Sequence, residues 1–325
     1  MHEDILFSEW RDAYLAPRYP DYAKVLRGER VPDCDKHLRN LMIAADRFIA
    51  VVGDRKLHTY GPADFARVRS FYLEEGKPRP VTIENYISRV RIFFRAAEEE
   101  EVIRKAPRVR VRQVKYEKPA LGENEIEEIF AAARAWPSPD KYDQRRFGNV
   151  TGRLYSTFAT LYYTTMRRGE LIHLTWNDIR TNRSGELEIV IQPKEWKDRK
   201  AGRTRRWKPK DHEVRVIPVH PVVEEVLKEQ QARGSSAVWV FTNHKGERWS
   251  EGGLASLVRR FEIATGWKIA FHIWRRTGLT HLHDAGVPAG QVQRIAGHSS
   301  ISTTMSYIDP GEKGRREAIA TLKRF

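Results

Sequence analysis

Five residues of this chain have side chains of the kind that can break a phosphodiester bond without a metal ion. In chain order they are Arg167, His272, Arg275, His298 and Tyr307. His272 and Arg275 are three residues apart, and Tyr307 follows His298 by nine. Such a cleavage needs a nucleophile, positive charge on the non-bridging oxygens and a proton for the leaving oxygen. The set supplies a candidate nucleophile and the positive charge.

The residue types fit these tasks. A guanidinium group binds two oxygens at once and stays protonated, so Arg167 and Arg275 are predicted to clamp the phosphate. His298 would add a hydrogen bond to it. A free tyrosine has a pKa near 10, so only on the order of 0.1% is ionised at pH 7, and Tyr307 needs a positive field and a base. Glu170, one helical turn after Arg167, is predicted to orient the clamp and the histidine.

Taken singly, none of these residues indicates catalysis. Tyr307 is one of 12 tyrosines, most of which are expected to pack in cores. An isolated histidine such as His272 is more often structural than catalytic, and Arg167 could lie on a solvated helix face. The types, order and spacing together favour a catalytic set.

The net charge of +15 favours a polyanionic partner, and double-stranded DNA is the expected one. The chain has no apolar run near the roughly 18 residues of a membrane span, and Glu3 and Asp4 oppose a signal peptide. We therefore expect a cytoplasmic protein, associated with the nucleoid in a prokaryote, and no membrane partner. The one cysteine, Cys34, can form neither an internal disulfide nor a cysteine-based zinc site. No metal site or cofactor is expected.

The apolar spacing before residue 105 is typical of helices. Leu38 to Ile49 and Asp64 to Tyr72 follow helical periodicity, and Thr82 is predicted to cap a third helix. We therefore expect a small helical bundle over 1–105.

Residues 106–120 are predicted to form a basic linker. Arg108, Arg110 and Arg112 alternate with Val109 and Val111. This period of two is compatible with an edge strand, but beside a helical bundle an extended basic strap that crosses DNA phosphates is favoured.

A second domain is predicted over 121–325. Glu123 to Arg134 and Leu154 to Thr165 have helical patterns, whereas Leu187 to Gln192 and Val214 to Val219 are rich in β-branched residues and predict two strands. A long polar excursion, 194–213, separates these strands. The fold class expected is mainly α with a small antiparallel β-sheet.

Four motifs carry a resemblance to a known family. They are Met-Arg-x-x-Glu-Leu from Met166, His-x-x-Arg from His272, Gly-His-x(8)-Tyr from Gly297, and Pro-Lys with a following Arg-x-x-Pro from Pro209 to Pro218. From about residue 121 to 310 the chain resembles the catalytic domain of the tyrosine recombinase, or phage integrase, family. The preceding region resembles that family's core-binding domain. Thr165 departs from the pattern, since the family often has glycine there.

The resemblance implies a helical DNA-binding bundle followed by an α+β catalytic domain. It implies a site-specific recombinase that cleaves and rejoins DNA through a 3′-phosphotyrosine, without ATP or metal, as a homotetramer on two DNA sites. It assigns proton handling to His272 and the general acid to a lysine of a β-hairpin. Lys210, eight residues before Pro218, fits best, with Lys194 and Lys208 as alternatives.

The excursion is also strongly basic. A solvated loop is the simpler interpretation, but in a DNA-binding protein phosphate contact is favoured. The residues predicted to touch DNA there are Lys197, Arg199, Lys200, Arg203, Arg205 and Arg206.

Two other functions remain open at this point. A type IB topoisomerase would share the phosphotyrosine chemistry but would relax supercoils without a partner site. An architectural DNA-binding protein would have the basic surface with an inactive site, although the intact residue set speaks against it.

Overall fold

The computed structural model describes residues 4–29, 36–113, 120–136, 152–198, 202–210 and 214–305. The chain divides into two compact units, Met1–Glu117 and Lys118–Phe325. Within the described ranges, no helix combines the length and the apolar character that a membrane span requires.

The first unit is helical. Its helices are α1 (Phe7–Leu15), α2 (Tyr22–Leu26), α3 (Lys36–Val52), α4 (Pro62–Glu74) and α5 (Pro80–Glu99). Phe7, Phe48, Phe65 and Phe94 meet at its centre, and the Phe7 and Phe94 rings stack with their centroids 5.4 Å apart. The predicted stripes on α3, α4 and α5 form this core because side chains three and four positions apart lie on one helix face.

The predicted N-cap of α5 was wrong by three residues. The helix begins at Pro80, and its N-cap is Arg79, so Thr82 lies inside the first turn. A proline suits the first helical position because its φ is already helical and it has no N–H to leave unpaired.

The basic segment after α5 is extended and packs on the bundle. Val109 is buried in the core of the first unit and Val111 packs against it, whereas Arg108, Arg110 and Arg112 are exposed. None of the described residues from 106 to 113 is in a strand, so the edge strand was wrong, and the contact of this segment with DNA phosphates stays a prediction.

A buried ion pair holds the strap in place. Arg69 donates two hydrogen bonds to Glu84 and one to the Arg110 carbonyl, and Glu84 accepts the Arg112 N–H. Burial alone would raise the pKa of Glu84, but the bonds from Arg69 and Arg112 hold it below its usual value. The row of arginines therefore rests on a fixed backbone.

The second unit contains eight described helices. They are α6 (Glu123–Ala135), α7 (Arg153–Thr164), α8 (Arg168–Ile172), α9 (Pro221–Arg233), α10 (Glu251–Thr265), α11 (Phe271–Asp284), α12 (Ala289–Ala296) and α13 (Ile301–Met305). Most side chains of α7 are buried, which is typical of a helix at the centre of a fold. Helices α6, α9 and α11 pack around it.

Two features fix α11 against α7. Trp274 is fully buried and stacks on Phe158 with the ring centroids 5.0 Å apart. At Gly278 a Cβ atom would lie 2.5 Å from the carbonyl oxygen of Tyr162, so only glycine permits this close approach. The separation of the two helices sets the position of Arg275 next to the end of α7.

The strands form two small antiparallel sheets. Strands β1 (Ile179–Thr181), β2 (Leu187–Ile191) and β5 (Arg215–Pro218) pair in the order β1-β2-β5, with Ile189 opposite Ile217. The excursion contains the second sheet, a hairpin of β3 (Lys194–Asp198) and β4 (Arg203–Trp207). The residue pattern predicted only a polar excursion here, whereas the family resemblance implied a β-hairpin.

Candidate active site

Arg167 and Glu170 are joined at the start of α8. The Arg167 N–H donates to Glu170 Oε2 over 2.7 Å, and Arg167 Nη1 donates to Oε1 over 3.2 Å. The acidic side chain at the third helical position closes the N-terminal turn, where backbone N–H groups have no helical partner. The predicted orienting contact between Glu170 and Arg167 is thus present in the structure.

A third arginine completes this group. Arg215, on β5, donates to both carboxylate oxygens of Glu170, over 3.0 Å and 2.6 Å, and its Nε donates to the Ile295 carbonyl. Burial alone would raise the pKa of Glu170, but the hydrogen bonds and charge of Arg215, with the bond from Arg167, hold it below its usual value. Glu170 is therefore ionised and ties α8 to β5.

Thr165 turns the chain between α7 and α8. Its φ is +52°, in the left-handed region that favours glycine, and its side chain is buried. For a β-branched residue this conformation costs about 1–2 kcal/mol. The turn directs the Thr165 carbonyl at Arg275.

Arg275 is almost fully buried on α11. Its Nη1 donates to the Thr165 carbonyl and its Nη2 donates to the Ala296 carbonyl, each over 2.6 Å. Nη2 also lies 2.8 Å from His298 Nε2. Bonds from two separate chain segments fix the guanidinium plane, as a preorganised phosphate clamp requires.

His298 follows α12 immediately after a left-handed glycine. Gly297 has a φ of +63°, and a Cβ there would lie 2.8 Å from Arg215 Cδ. His298 is 5% exposed, and its Nδ1 lies 2.9 Å from the hydroxyl of Thr304 on α13. The glycine thus lets the backbone at residue 297 pass close to the Arg215 side chain, and His298 on the next position contacts Arg275.

His272 is exposed on the first turn of α11, three residues before Arg275 and hence on the same side of the helix. Arg167, His272 and Arg275 line one cleft of about 580 Å³. Arg168, Phe271, Glu251 and Glu262 also line it. The structure therefore brings together two predicted clamp arginines and the predicted proton carrier.

Lys194 and Lys210 differ in their surroundings. The Lys194 ammonium group forms an ion pair with Asp178, whose side chain is 1% exposed and also accepts bonds from Thr175 and Gln192. Lys210 is exposed in the turn after β4. Lys194 thus anchors the foot of the hairpin, whereas Lys208 and Lys210 are both exposed, so the choice of Lys210 among these lysines stays a prediction.

Aromatic rings attach the hairpin to α8. The Trp207 ring stacks on His173 at 4.6 Å and 13°, and Trp196 lies 5.4 Å from the same imidazole. His173 Nδ1 donates to the Gly169 carbonyl over 2.7 Å. Opposite residues of the hairpin share a face, so Trp196, Trp207 and Lys194 face the body of the unit together.

The pairing register of β3 and β4 also shows on which face of the hairpin each predicted DNA-binding residue lies. Lys197 and Arg206 lie on the outer face, whereas Arg205 lies opposite Trp196 on the inner face and pairs with Asp198. Arg203 is exposed at the end of β4 nearest the turn. The predicted contacts at Arg199 and Lys200 lie outside the described residues, as does Tyr307.

Sequence reasoning missed three contributors to this site. The contact of Arg215 with Glu170, the tie between His298 and Thr304, and the stack on His173 were not predicted. Arg215 belongs to the Arg-x-x-Pro motif, which was the available signal. For the contact between His298 and Thr304, the only signal in the sequence was the short separation of the two residues along the chain.

The stack on His173 predicts a pH effect on stability. Burial, with the nearby charges of Arg248 and Lys194, lowers the pKa of His173 from its ordinary 6.5 to about 4 despite the bond to Gly169. Between these two pH values His173 is protonated in the unfolded chain but not in the folded protein. The free energy of unfolding therefore has its full value above pH 6.5 and decreases as the pH falls towards 4. Between pH 7.5 and pH 5 this loss is about 2 kcal/mol.

His173→Phe should remove that part of the pH dependence while keeping a ring against Trp207. The measurement is guanidinium unfolding at pH 7.5 and pH 5 for the wild type, His173→Phe and His244→Phe. His244 is an exposed histidine and should leave the dependence unchanged. Equal pH dependence in wild type and His173→Phe would show that His173 titrates normally in the folded protein.

The profile of the phage integrase family matches residues 119–313, more than half of the chain and all positions predicted to be catalytic. The chain belongs to the phage integrase family.

Relatives in this family span most of the chain. Tyrosine recombinase XerC of Roseiflexus sp. (strain RS-1) is 25% identical over 278 residues, which cover 81% of this chain and 79% of the relative. Tyrosine recombinase XerD of Staphylococcus epidermidis is 25% identical over 235 residues, which cover 70% of each chain.

Solved integrase structures have the same fold. The Tn1549 transposon integrase in complex with a circular intermediate DNA has a TM-score of 0.66 at 21% identity, covering 93% of this chain and 98% of that one. A lambda integrase tetramer bound to a Holliday junction has a TM-score of 0.64 at 19% identity, covering 94% of this chain and 78% of that one. The predicted family, fold class, enzyme class and function, a site-specific tyrosine recombinase, are confirmed.

Proposed function

We propose that the chain cleaves and rejoins double-stranded DNA at specific sites, with Tyr307 as nucleophile. Tyr307 Oη attacks the scissile phosphorus, the bond from phosphorus to the 5′ oxygen breaks, and a 3′-phosphotyrosine forms. The 5′-hydroxyl of a partner strand then attacks the same phosphorus and releases the tyrosine. The covalent link conserves the bond energy, so the reaction needs no ATP.

One observation carries this proposal most directly. Arg167, His272 and Arg275 line one cleft, and His298 contacts Arg275 from the adjoining segment. Arg167 and Arg275 would bind the non-bridging oxygens, where negative charge grows in the transition state. Since Glu170 and two backbone carbonyls hold these arginines in advance, little reorganisation is needed when the phosphate arrives.

The proton transfers fall to His272 and a lysine. His272 is exposed in the cleft next to the clamp and would take the proton from Tyr307. Lys210 would donate the proton to the leaving 5′ oxygen. Its exposure leaves the ammonium group accessible to DNA, in contrast to the paired ammonium group of Lys194.

The assembly follows from the reaction. Exchange between two duplexes requires four cleavages, and a related lambda integrase is seen as a tetramer on a Holliday junction. We infer that this chain also acts as a homotetramer on two DNA sites. The helical unit and its arginine strap, Arg108, Arg110 and Arg112, would contribute contacts to DNA phosphates.

The test is covalent trapping without divalent metal. Incubation with total DNA of the organism that encodes the chain, followed by denaturation with detergent, should yield protein linked to DNA 3′ ends, and EDTA should not reduce the yield. The arginines supply the charge that a metal would otherwise provide. Loss of the adduct in EDTA with recovery in magnesium would contradict the mechanism. Sequencing the trapped ends identifies the site.

Exchange distinguishes this function from that of a topoisomerase. Two duplexes that carry the recovered site should yield recombinant products, whereas an enzyme that only relaxes supercoils would return each duplex unchanged. A protein that binds DNA without cleaving it would give neither adduct nor product.

The hairpin should contribute to the salt dependence of binding. Each phosphate contact changes the slope of log K against log salt by about 0.9, so Lys197→Gln with Arg206→Gln should flatten it by about 1.8. Arg205→Gln is the matched control, because Arg205 lies on the inner face, whereas Arg206 lies on the outer face, although each arginine pairs with a carboxylate of β3. The slopes can be measured by fluorescence anisotropy between 50 and roughly 300 mM salt. Equal slopes for the double variant and the wild type would mean that Lys197 and Arg206 do not contact DNA phosphates.

A further inference from the structure

His298 has a partner on each ring nitrogen. Nε2 lies 2.8 Å from Arg275 Nη2, and Nδ1 lies 2.9 Å from Thr304 Oγ1. Thr304 is fully buried and His298 is 5% exposed, so water has little access to either bond. The imidazole is therefore held between the clamp arginine and the hydroxyl group of α13.

These partners determine which nitrogen carries the proton. A guanidinium group only donates hydrogen bonds, so His298 Nε2 accepts from Arg275. In a neutral ring the proton then lies on Nδ1 and is donated to the Thr304 hydroxyl.

The reaction needs the opposite arrangement. In the proposed function, a phosphate oxygen replaces His298 Nε2 as an acceptor of Arg275 Nη2, and His298 donates to a phosphate oxygen. Nε2 is the nitrogen that faces Arg275, so it must then carry the proton. A neutral ring with a proton on Nε2 leaves Nδ1 as an acceptor, which requires a donor opposite it.

We propose that Thr304 is a positioning residue for His298 and that its hydroxyl group reverses direction during the reaction. The hydroxyl accepts from Nδ1–H in the DNA-free protein and donates to Nδ1 when Nε2–H binds the phosphate. A hydroxyl can do both because it is donor and acceptor and rotates freely. This inference rests on the proposed function, and it assigns to Thr304 an effect on cleavage that acts through His298.

The position of Thr304 gives this contact a second consequence. Thr304 belongs to α13 and precedes Tyr307 by three residues in the sequence. The Thr304 hydroxyl thus links the segment that leads to Tyr307 with His298, which would bind the phosphate. Ordering of one would therefore favour ordering of the other.

Three variants test the role of the hydroxyl. Thr304→Val keeps the shape and removes the hydroxyl, Thr304→Ser keeps the hydroxyl, and Thr303→Val removes an exposed hydroxyl from the same helix. On a duplex recovered by trapping, Thr304→Val should form the adduct about 10- to 100-fold more slowly at saturating DNA, with unchanged Kd. Thr304→Ser and Thr303→Val should cleave at close to the wild-type rate.

A double-mutant cycle separates positioning from general damage. If Thr304 acts through His298, Thr304→Val should cause no further loss in a His298→Ala background. Independent, multiplying losses would overturn the proposal, and so would wild-type cleavage by Thr304→Val. Absence of an adduct from the wild-type protein would instead count against the proposed function.

The tautomer can be observed in the protein without the threonine variants. Nitrogen-15 spectra of the imidazoles, assigned with His298→Gln, should show the His298 proton on Nδ1 in the DNA-free protein. In a complex of the Tyr307→Phe variant with a half-site duplex, the proton should be on Nε2. The same single tautomer in both states, or a ring with both protons in the complex, would overturn the reversal.

Discussion

Tyr307→Phe is expected to bind DNA as the wild type does and to form no covalent adduct. The substitution removes only the nucleophilic oxygen, and removal of a covalent nucleophile lowers turnover by at least about four orders of magnitude. Adduct yield after detergent denaturation and Kd from anisotropy are the two measurements. Unchanged Kd with no adduct would separate the chemistry from binding.

A second tyrosine provides the control for this experiment. Tyr163 lies at the end of α7, where its ring stacks on His220 at 4.2 Å, and Tyr163→Phe should cleave normally. An adduct that persists in Tyr307→Phe would mean that another tyrosine attacks the phosphate. Peptide mapping of that adduct would identify the residue.

The parts of the fold that could be predicted are those with a long, regular apolar pattern. The stripe from Leu38 to Ile49 lies on α3, and the apolar run from Leu154 lies on α7. Such helices can be predicted because the spacing of apolar residues along the helix shows which side chains are buried. The hairpin β3–β4 could not be predicted this way. Its strands have five residues each, and lysine, arginine and glutamate interrupt its two tryptophans, so the period of two was hidden by charge.

The candidate active site also contains residues that could be predicted from the sequence and contacts that could not. Residue types and order along the chain predicted Arg167, Glu170, Arg275 and His298, and in the structure Arg167 contacts Glu170 and Arg275 contacts His298. The bond of Glu170 to Arg215 joins residues 45 positions apart, and it depends on how β5 packs against α8. One sequence carries no direct record of such a pairing.

The structural role of Thr165 could not be predicted from the sequence. In the sequence it is only a residue that replaces a common glycine. In the structure it adopts the backbone conformation that glycine favours, and its carbonyl holds Arg275. Strained residues persist where the surrounding structure fixes them, and such positions concentrate at functional sites.

Lys210→Ala is expected to lower the rate of DNA cleavage by about 10²- to 10⁴-fold, the usual contribution of a general acid. The 5′ oxygen is a poor leaving group unless it receives a proton as its bond to phosphorus breaks. A duplex in which sulfur replaces this bridging oxygen has a leaving group that departs without a proton. Lys210→Ala should therefore cleave the sulfur substrate at close to the wild-type rate.

The rescue is specific to the general acid, which makes the comparison between variants decisive. Arg275→Ala should remain slow on the sulfur substrate, because the phosphate still requires its clamp. Lys208→Ala is the matched control from the same exposed segment and should cleave both substrates normally. Lys194→Ala should lower stability by removing the partner of buried Asp178, without selective rescue by sulfur. If Lys194→Ala or Lys208→Ala shows the rescue and Lys210→Ala does not, the tyrosine mechanism stands and the proton comes from that other lysine.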